Sequence, residues 1–135
     1  MRDIHPTGGW LLDVTRVVHE FNNVVREVRK KHTGKGPEKI TTRFLGAWAI
    51  CEMKGTLTGM EKFVAQTTEG RRMVHELRTT FVKEIYKNEA VRKEVEQTVG
   101  AKLVKLYCDF DVESDTAMTV YVFDRPLGLD TISHP

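Results

Sequence analysis

Serine occurs only twice in this sequence, at Ser114 and Ser133, both in segments that read as turn or tail. No Gly-x-Ser-x-Gly elbow is present, so the hydrolase nucleophile built on that turn has no place here. Cysteine is as scarce. Cys51 and Cys108 lie in strand-like runs and are expected as reduced, buried and therefore inert thiols. No apolar run approaches the roughly 18 residues of a membrane span. The opening MRDIHPTGGWLLD has one arginine and no sustained apolar core, so it does not read as a secretion signal. A cytoplasmic protein is expected. Neither sign of charge dominates: the formal net charge is +2, too small to argue for nucleic acid by itself. Repeats, low-complexity tracts and interdomain linkers are also missing. What is present, 135 residues with 40% hydrophobic and 30% charged, suits a single globular domain. Its core is expected over about residues 10–125, with loose ends at 1–9 and 126–135.

Periodicity predicts a first helix from Gly9 or Trp10 to about Lys31. Leu11, Val14, Val18, Phe21, Val25 and Val28 alternate steps of three and four, and Val17 and Val24 widen the stripe enough to cover a sheet. Ile40–Leu45 and Trp48–Lys54 read as a hairpin closed by Gly46-Ala47. Thr58-Gly59-Met60-Glu61 has the capping-box spacing. One long helix is expected after it, with Met60, Val64, Thr67, Val74, Leu77, Phe81 and Ile85 on its apolar stripe and a weak point at Gly70. Asn88 and Gly100 bracket a short further helix carrying Val91, Val95 and Val99. Leu103–Phe110 and Thr116–Phe123 form a second hairpin around an acidic turn. The order α-β-β-α-α-β-β predicts an α+β fold, a four-stranded, mainly antiparallel sheet with helices packed on one face.

The uncovered face of that sheet is expected to hold Leu103, Lys105 and Tyr107 from one strand and Ala117, Thr119, Tyr121 and Phe123 from the next. It is more apolar than a solvated face requires. A homodimer packed through Leu103, Tyr107, Tyr121 and Phe123 is the expected explanation, with a chain terminus folded over the face as the alternative.

Candidate sites are few. Lys31, His32, Gly34, Lys35 and Gly36 crowd the run KKHTGKGPEKI. Glycine after a basic last turn and proline soon after is the grammar of a helix stop. A phosphate loop would instead follow a strand and open a helix. A partner or anion contact at these residues remains as the functional reading. Asp109, Asp111, Glu113 and Asp115 alternate through the last hairpin as weak metal candidates. A calcium loop starting at Asp109 would place its bidentate ligand at Val120, so a solvated hairpin tip is the plainer account. None of the five histidines pairs with another His or a Cys at metal-ligand spacing. No catalytic constellation and no cofactor motif is found.

Taken together, His32-Thr33-Gly34-Lys35-Gly36-Pro37, Glu52-Met53-Lys54-Gly55-Thr56-Leu57-Thr58, Val74-His75-Glu76-Leu77-Arg78 with Phe81, Val99-Gly100-Ala101-Lys102-Leu103 and Val120-Tyr121-Val122-Phe123 form a pattern over about residues 15–125. It resembles the MpsC-like family of small bacterial proteins. The resemblance implies a cytoplasmic protein, linked in some bacteria to a membrane system that generates membrane potential by cation translocation and is also discussed as inorganic-carbon uptake. A chain without a span could join such a machine only as an accessory part, peripheral to the inner face of the membrane, with a membrane-protein partner. The resemblance brings no catalytic residue with it, and Pro6-Thr7-Gly8-Gly9-Trp10 stands outside it. Two other readings stay open. One is an RNA-binding module of KH-like order, although Tyr86-Lys87-Asn88-Glu89-Ala90 lacks the Gly-x-x-Gly such a domain uses, so nucleic acid is not the expected partner. The other is a small-ligand or divalent-cation protein using the acidic hairpin.

Overall fold

In the computed structural model, residues 9–131 are described, with side chains from residue 13 onward. The reading of residues 1–8 and 132–135 as loose ends, together with His5 and His134, lies outside them. Helix α1 (Gly9–Thr33) leads into β1 (Lys39–Leu45) and β2 (Trp48–Lys54). Three helices follow, α2 (Gly59–Val64), α3 (Thr68–Ile85) and α4 (Glu89–Val99), then β3 (Leu103–Asp111) and β4 (Thr116–Phe123). All strand pairings are antiparallel and the sheet order is β1-β2-β4-β3. Helix α1 packs on β1, α3 on β3, and α4 against α1. The expected α+β fold is therefore observed.

Local chemistry accounts for most boundaries. Gly34, at φ +82°, ends α1 and donates to Lys30 O at 2.9 Å. Gly46 takes φ +57° in the first hairpin turn. Asn88 caps α4 through its side chain, and Gly100 closes it in the left-handed conformation.

The core lies between the helices and one sheet face. Phe21 of α1 meets Phe44 and Tyr121 edge-on, with ring centroids 5.7 and 5.2 Å apart. Tyr121 in turn bonds Tyr86 hydroxyl to hydroxyl at 2.8 Å. Burial pushes the Tyr86 phenol up to about 12 and the Cys51 thiol up to about 11, so both stay neutral. Arg29 is buried beside this group, and its Nε and Nη2 have no hydrogen-bond partner among the described residues.

Three expectations need correction. First, the dimer-face assignment fails for Leu103, Tyr121 and Phe123, which are buried under the helices. The register slips between Leu103 and Lys105, so Leu103 shares the helix side with Leu106, Cys108 and Phe110. Of the four residues, only Tyr107 is exposed on the open face. Second, residues 126–131 are not loose. Thr131 N donates to Phe44 O at 2.9 Å, Asp130 accepts from Gly46 N at 2.8 Å, and Leu129 is fully buried. This segment lies against the Phe44 end of β1, on its outer edge, and against the turn that follows.

Third, the single long helix after Thr58 is two. The chain stops at Ala65 and restarts at Thr67, whose hydroxyl caps α3 by accepting from Gly70 N at 2.9 Å. The break brings α2 back so closely that a Cβ on Gly70 would lie 1.7 Å from Val64 O. Gly70 is thus a packing requirement rather than a flexible point. Helix propensity alone says that Gly70→Ala gains about 1 kcal/mol; the clash with backbone says that it loses at least about 2 kcal/mol. Urea denaturation of the variant decides, and a stabilised protein would refute this account of the α2–α3 turn.

Candidate functional site

The basic loop after α1 spends its groups on the fold. His32 Nδ1 lies 2.9 Å from Val28 O, and the Thr33 hydroxyl lies 2.7 Å from Arg29 O. Lys35 Nζ donates to Leu57 O at 3.1 Å and stands 3.6 Å from Glu38. Gly36 sits against α1, where a Cβ would meet Arg26 Cγ at 3.2 Å. Gly34 serves as the helix stop. Among the five candidate contact residues, only Lys31 has an exposed side chain without such a role.

Lys35 leads to a hub at Gly55-Thr56-Leu57-Thr58. Gly55 has φ +72°, and a Cβ there would run into Glu38. The amides of Thr56 and Leu57 donate to the Asp115 carboxylate at 2.9 and 3.2 Å. Thr56 O accepts from Arg78 Nη2 at 2.8 Å. Arg78 also donates from Nε to Glu61 at 2.6 Å and from Nη2 to the other Glu61 oxygen. Its side chain is 4% exposed, that of Glu61 14%, and its guanidinium lies over the Phe110 ring. Glu61 closes the capping box with Thr58. Burial pushes the Glu61 carboxyl up, but hydrogen bonds from Arg78 and from the Thr58 amide outweigh it and leave it below the usual glutamate range. The Gly-Lys-Gly-Pro and Gly-Thr-Leu-Thr runs therefore meet in space and hold one another.

The acidic hairpin does not converge. Asp109 pairs with His75 at 2.8 Å, which holds its carboxyl below the usual range. Asp111 accepts from the Ser114 hydroxyl, Glu113 stands 3.8 Å from Arg71, and Asp115 faces the hub. Among the described residues, no three His, Cys, Asp or Glu side chains gather to hold a metal ion. The four candidates are thus dispersed among separate partners.

The surface that sequence reasoning missed lies between α2 and α3. Met60, Val64, Met73, Leu77 and Phe81 line an open groove of about 620 Å3, with Glu61, Glu76 and Glu84 along it. Met60 is 79% exposed, Leu77 56%, and neighbouring Phe63 72%. The apolar stripe expected to face the core is split. Of its members Val74 and Ile85 point inward, beside Val82 and Arg78, while Met60, Val64 and Leu77 point out, beside Met73. A smaller pocket of about 230 Å3, sharing Glu61, Leu77 and Phe81, carries the groove to His32 and Thr33.

Comparison with known proteins adds an independent line. The family model described as "Na+-translocating membrane potential-generating system (MpsC)" matches residues 14–125. The chain is 40% identical over 114 residues to a Bacillus subtilis (strain 168) protein named "Uncharacterized protein YrhF", covering 84% of this chain and 93% of that protein. No solved structure matches.

The hub yields a signed prediction. Arg78→Met leaves the Glu61 carboxylate buried without a counter-charge and should cost about 3–5 kcal/mol at neutral pH. Because the folded-state pKa of Glu61 is depressed, the pair's contribution is present above the unfolded value of about 4.3 and is lost as pH falls through the folded one. The cost of the substitution should therefore shrink in acid. Urea denaturation of parent and variant at neutral and acidic pH measures it, and an equal cost at both would remove the pair from its central place.

Proposed function

The chain belongs to the MpsC family, and from that premise we propose that it is a non-enzymatic accessory component of a cation-translocating, membrane-potential-generating system. The family description supports the link to the membrane system. No described helix is long and apolar enough to cross a membrane, which supports a peripheral place in it. The observation that carries the reading is the groove between α2 and α3. A chain with a complete core that still leaves Met60, Phe63, Met73 and Leu77 outside has a surface suited to a protein partner. Affinity capture from detergent-solubilised native membranes tests it. Co-purification of a polytopic cation-transporting membrane protein is expected. Recovery of RNA-associated proteins, or of this chain alone, would detach it from the system.

A specific observation also favours a homodimer, through a corrected face. Trp48, Ile50, Met118, Val120, Val122 and Tyr107 are neighbours on the open side of the sheet by strand register. A two-fold axis along the strands lays β1 of one copy over β3 of the other. It sets Trp48 against Val122 and Ile50 against Val120 at one end of the face and Lys39 against Asp111 at a corner, while Glu52 meets Met118 and Leu45 meets Lys105 around them. Light scattering after size exclusion should report a dimer. Ile50→Arg should give a folded monomer, whereas Tyr121→Arg, in the core, should unfold the chain. A monomeric parent protein would end the dimer reading.

A further inference from the structure

We propose that the α2–α3 groove is a docking site for an amphipathic helix of a partner protein whose apolar face is flanked by lysine or arginine. The inference rests on the accessory-component reading and names its site and the chemistry of its partner.

The groove has the form of a helix-binding trough. Helix α3, 18 residues long, makes one wall and α2 the other. Such troughs accept side chains at i, i+3, i+4 and i+7 of a docked helix. Two of the exposed lining residues, Met60 and Met73, have unbranched thioether chains that adapt to differently shaped apolar faces. The continuation to His32 and Thr33 lengthens the trough past the end of α2.

Charge selects the occupant. Every charged side chain lining the main groove between α2 and α3 is a glutamate, Glu61, Glu76 or Glu84, and its continuation adds Arg78 beside His32. Glu61 is already held by Arg78. Among the described residues Glu76 pairs with Arg72 and Glu84 with Lys87, cations that do not line the groove. Eight residues of helix separate Glu76 from Glu84, a rise of about 12 Å. A helix lying along α3 with lysines seven or eight residues apart would set one ammonium at each carboxylate. Segments of membrane proteins on the cytoplasmic side carry such basic excess. An anionic lipid surface is disfavoured, because the same two carboxylates would face its headgroups.

The test uses the full chain and two labelled synthetic helical peptides with the same leucine face. One carries lysines seven residues apart beside that face, and its twin carries glutamates at those positions. Fluorescence anisotropy at physiological ionic strength should show the lysine peptide binding about ten-fold tighter than its twin. Leu77→Asp should abolish binding, and the double variant Glu76→Lys, Glu84→Lys should reverse the preference. These three residues are exposed, and circular dichroism verifies that the variants fold. Equal binding of the twins, or lysine-peptide binding that survives Leu77→Asp, overturns the proposal. So does binding to phosphatidylglycerol vesicles, or self-association of the chain, that Leu77→Asp removes. If no peptide binds but membrane capture still recovers the transporter, the groove assignment fails and the accessory reading stands. If the lysine peptide binds as described but capture recovers no transporter, the groove chemistry is upheld and the accessory reading fails.

Discussion

The arrangement around Arg78 is the constraint on which the rest of the molecule hangs. A guanidinium taken out of water costs several kcal/mol unless each donor finds an acceptor and a carboxylate lies beside it. Here the fork meets both Glu61 oxygens and Thr56 O, with the Phe110 ring beneath. Lysine could not supply that planar set of donors. The consequence is positional: α2, α3, β3 and the connection after β2 must all stand where Arg78 can reach them. Asp115 and Lys35 bind the same connection from the far hairpin and from the loop after α1. Segments that read as contact motifs in the sequence are, in the fold, fastenings.

The parts of the structure legible from the sequence are those set by neighbours in the chain. Both hairpins, the capping box at Thr58, the Asn88 cap and the Gly100 stop follow from residues within a few positions of each other. What was not legible depends on distant contacts. The α2–α3 break is stabilised by Thr67, a residue that also fits a helical stripe. An arginine occupies a core position of α3, so a stripe drawn through apolar residues alone turns Leu77 inward and Arg78 outward, the reverse of the structure. At the start of β3 a one-residue slip exchanges the two faces, which moved Leu103 to the wrong side. The pairing of His75 with Asp109 spans 34 positions and leaves no local trace.

The groove and the open sheet face divide the uncovered apolar surface between two sides of the molecule. Helices α1 and α3 cover one side of the sheet, and the groove opens on that helical layer. The patch around Ile50 and Val120 lies on the other side. A pair of copies joined through their sheets would keep both grooves outward, so self-association and partner binding need not compete. Such a dimer would present two equivalent grooves and could hold two copies of a partner, or two segments of one, with the gain in apparent affinity that bivalence brings.

The strip of chain from Leu127 to Thr131 gives the sheet a polarity of a different kind. At one margin the outward amide and carbonyl of Phe44, near the end of β1, bond Thr131, and those of Gly46 in the turn beyond bond Asp130 and Leu127, while β3 ends the sheet at the other margin. Edge-to-edge growth into a ribbon needs two receptive margins on every subunit. With the Phe44 end of β1 occupied from within, a strand added at that margin meets only the stretch from Lys39 to Arg43. The C-terminal segment thereby shortens the length of β1 available for edge-to-edge pairing.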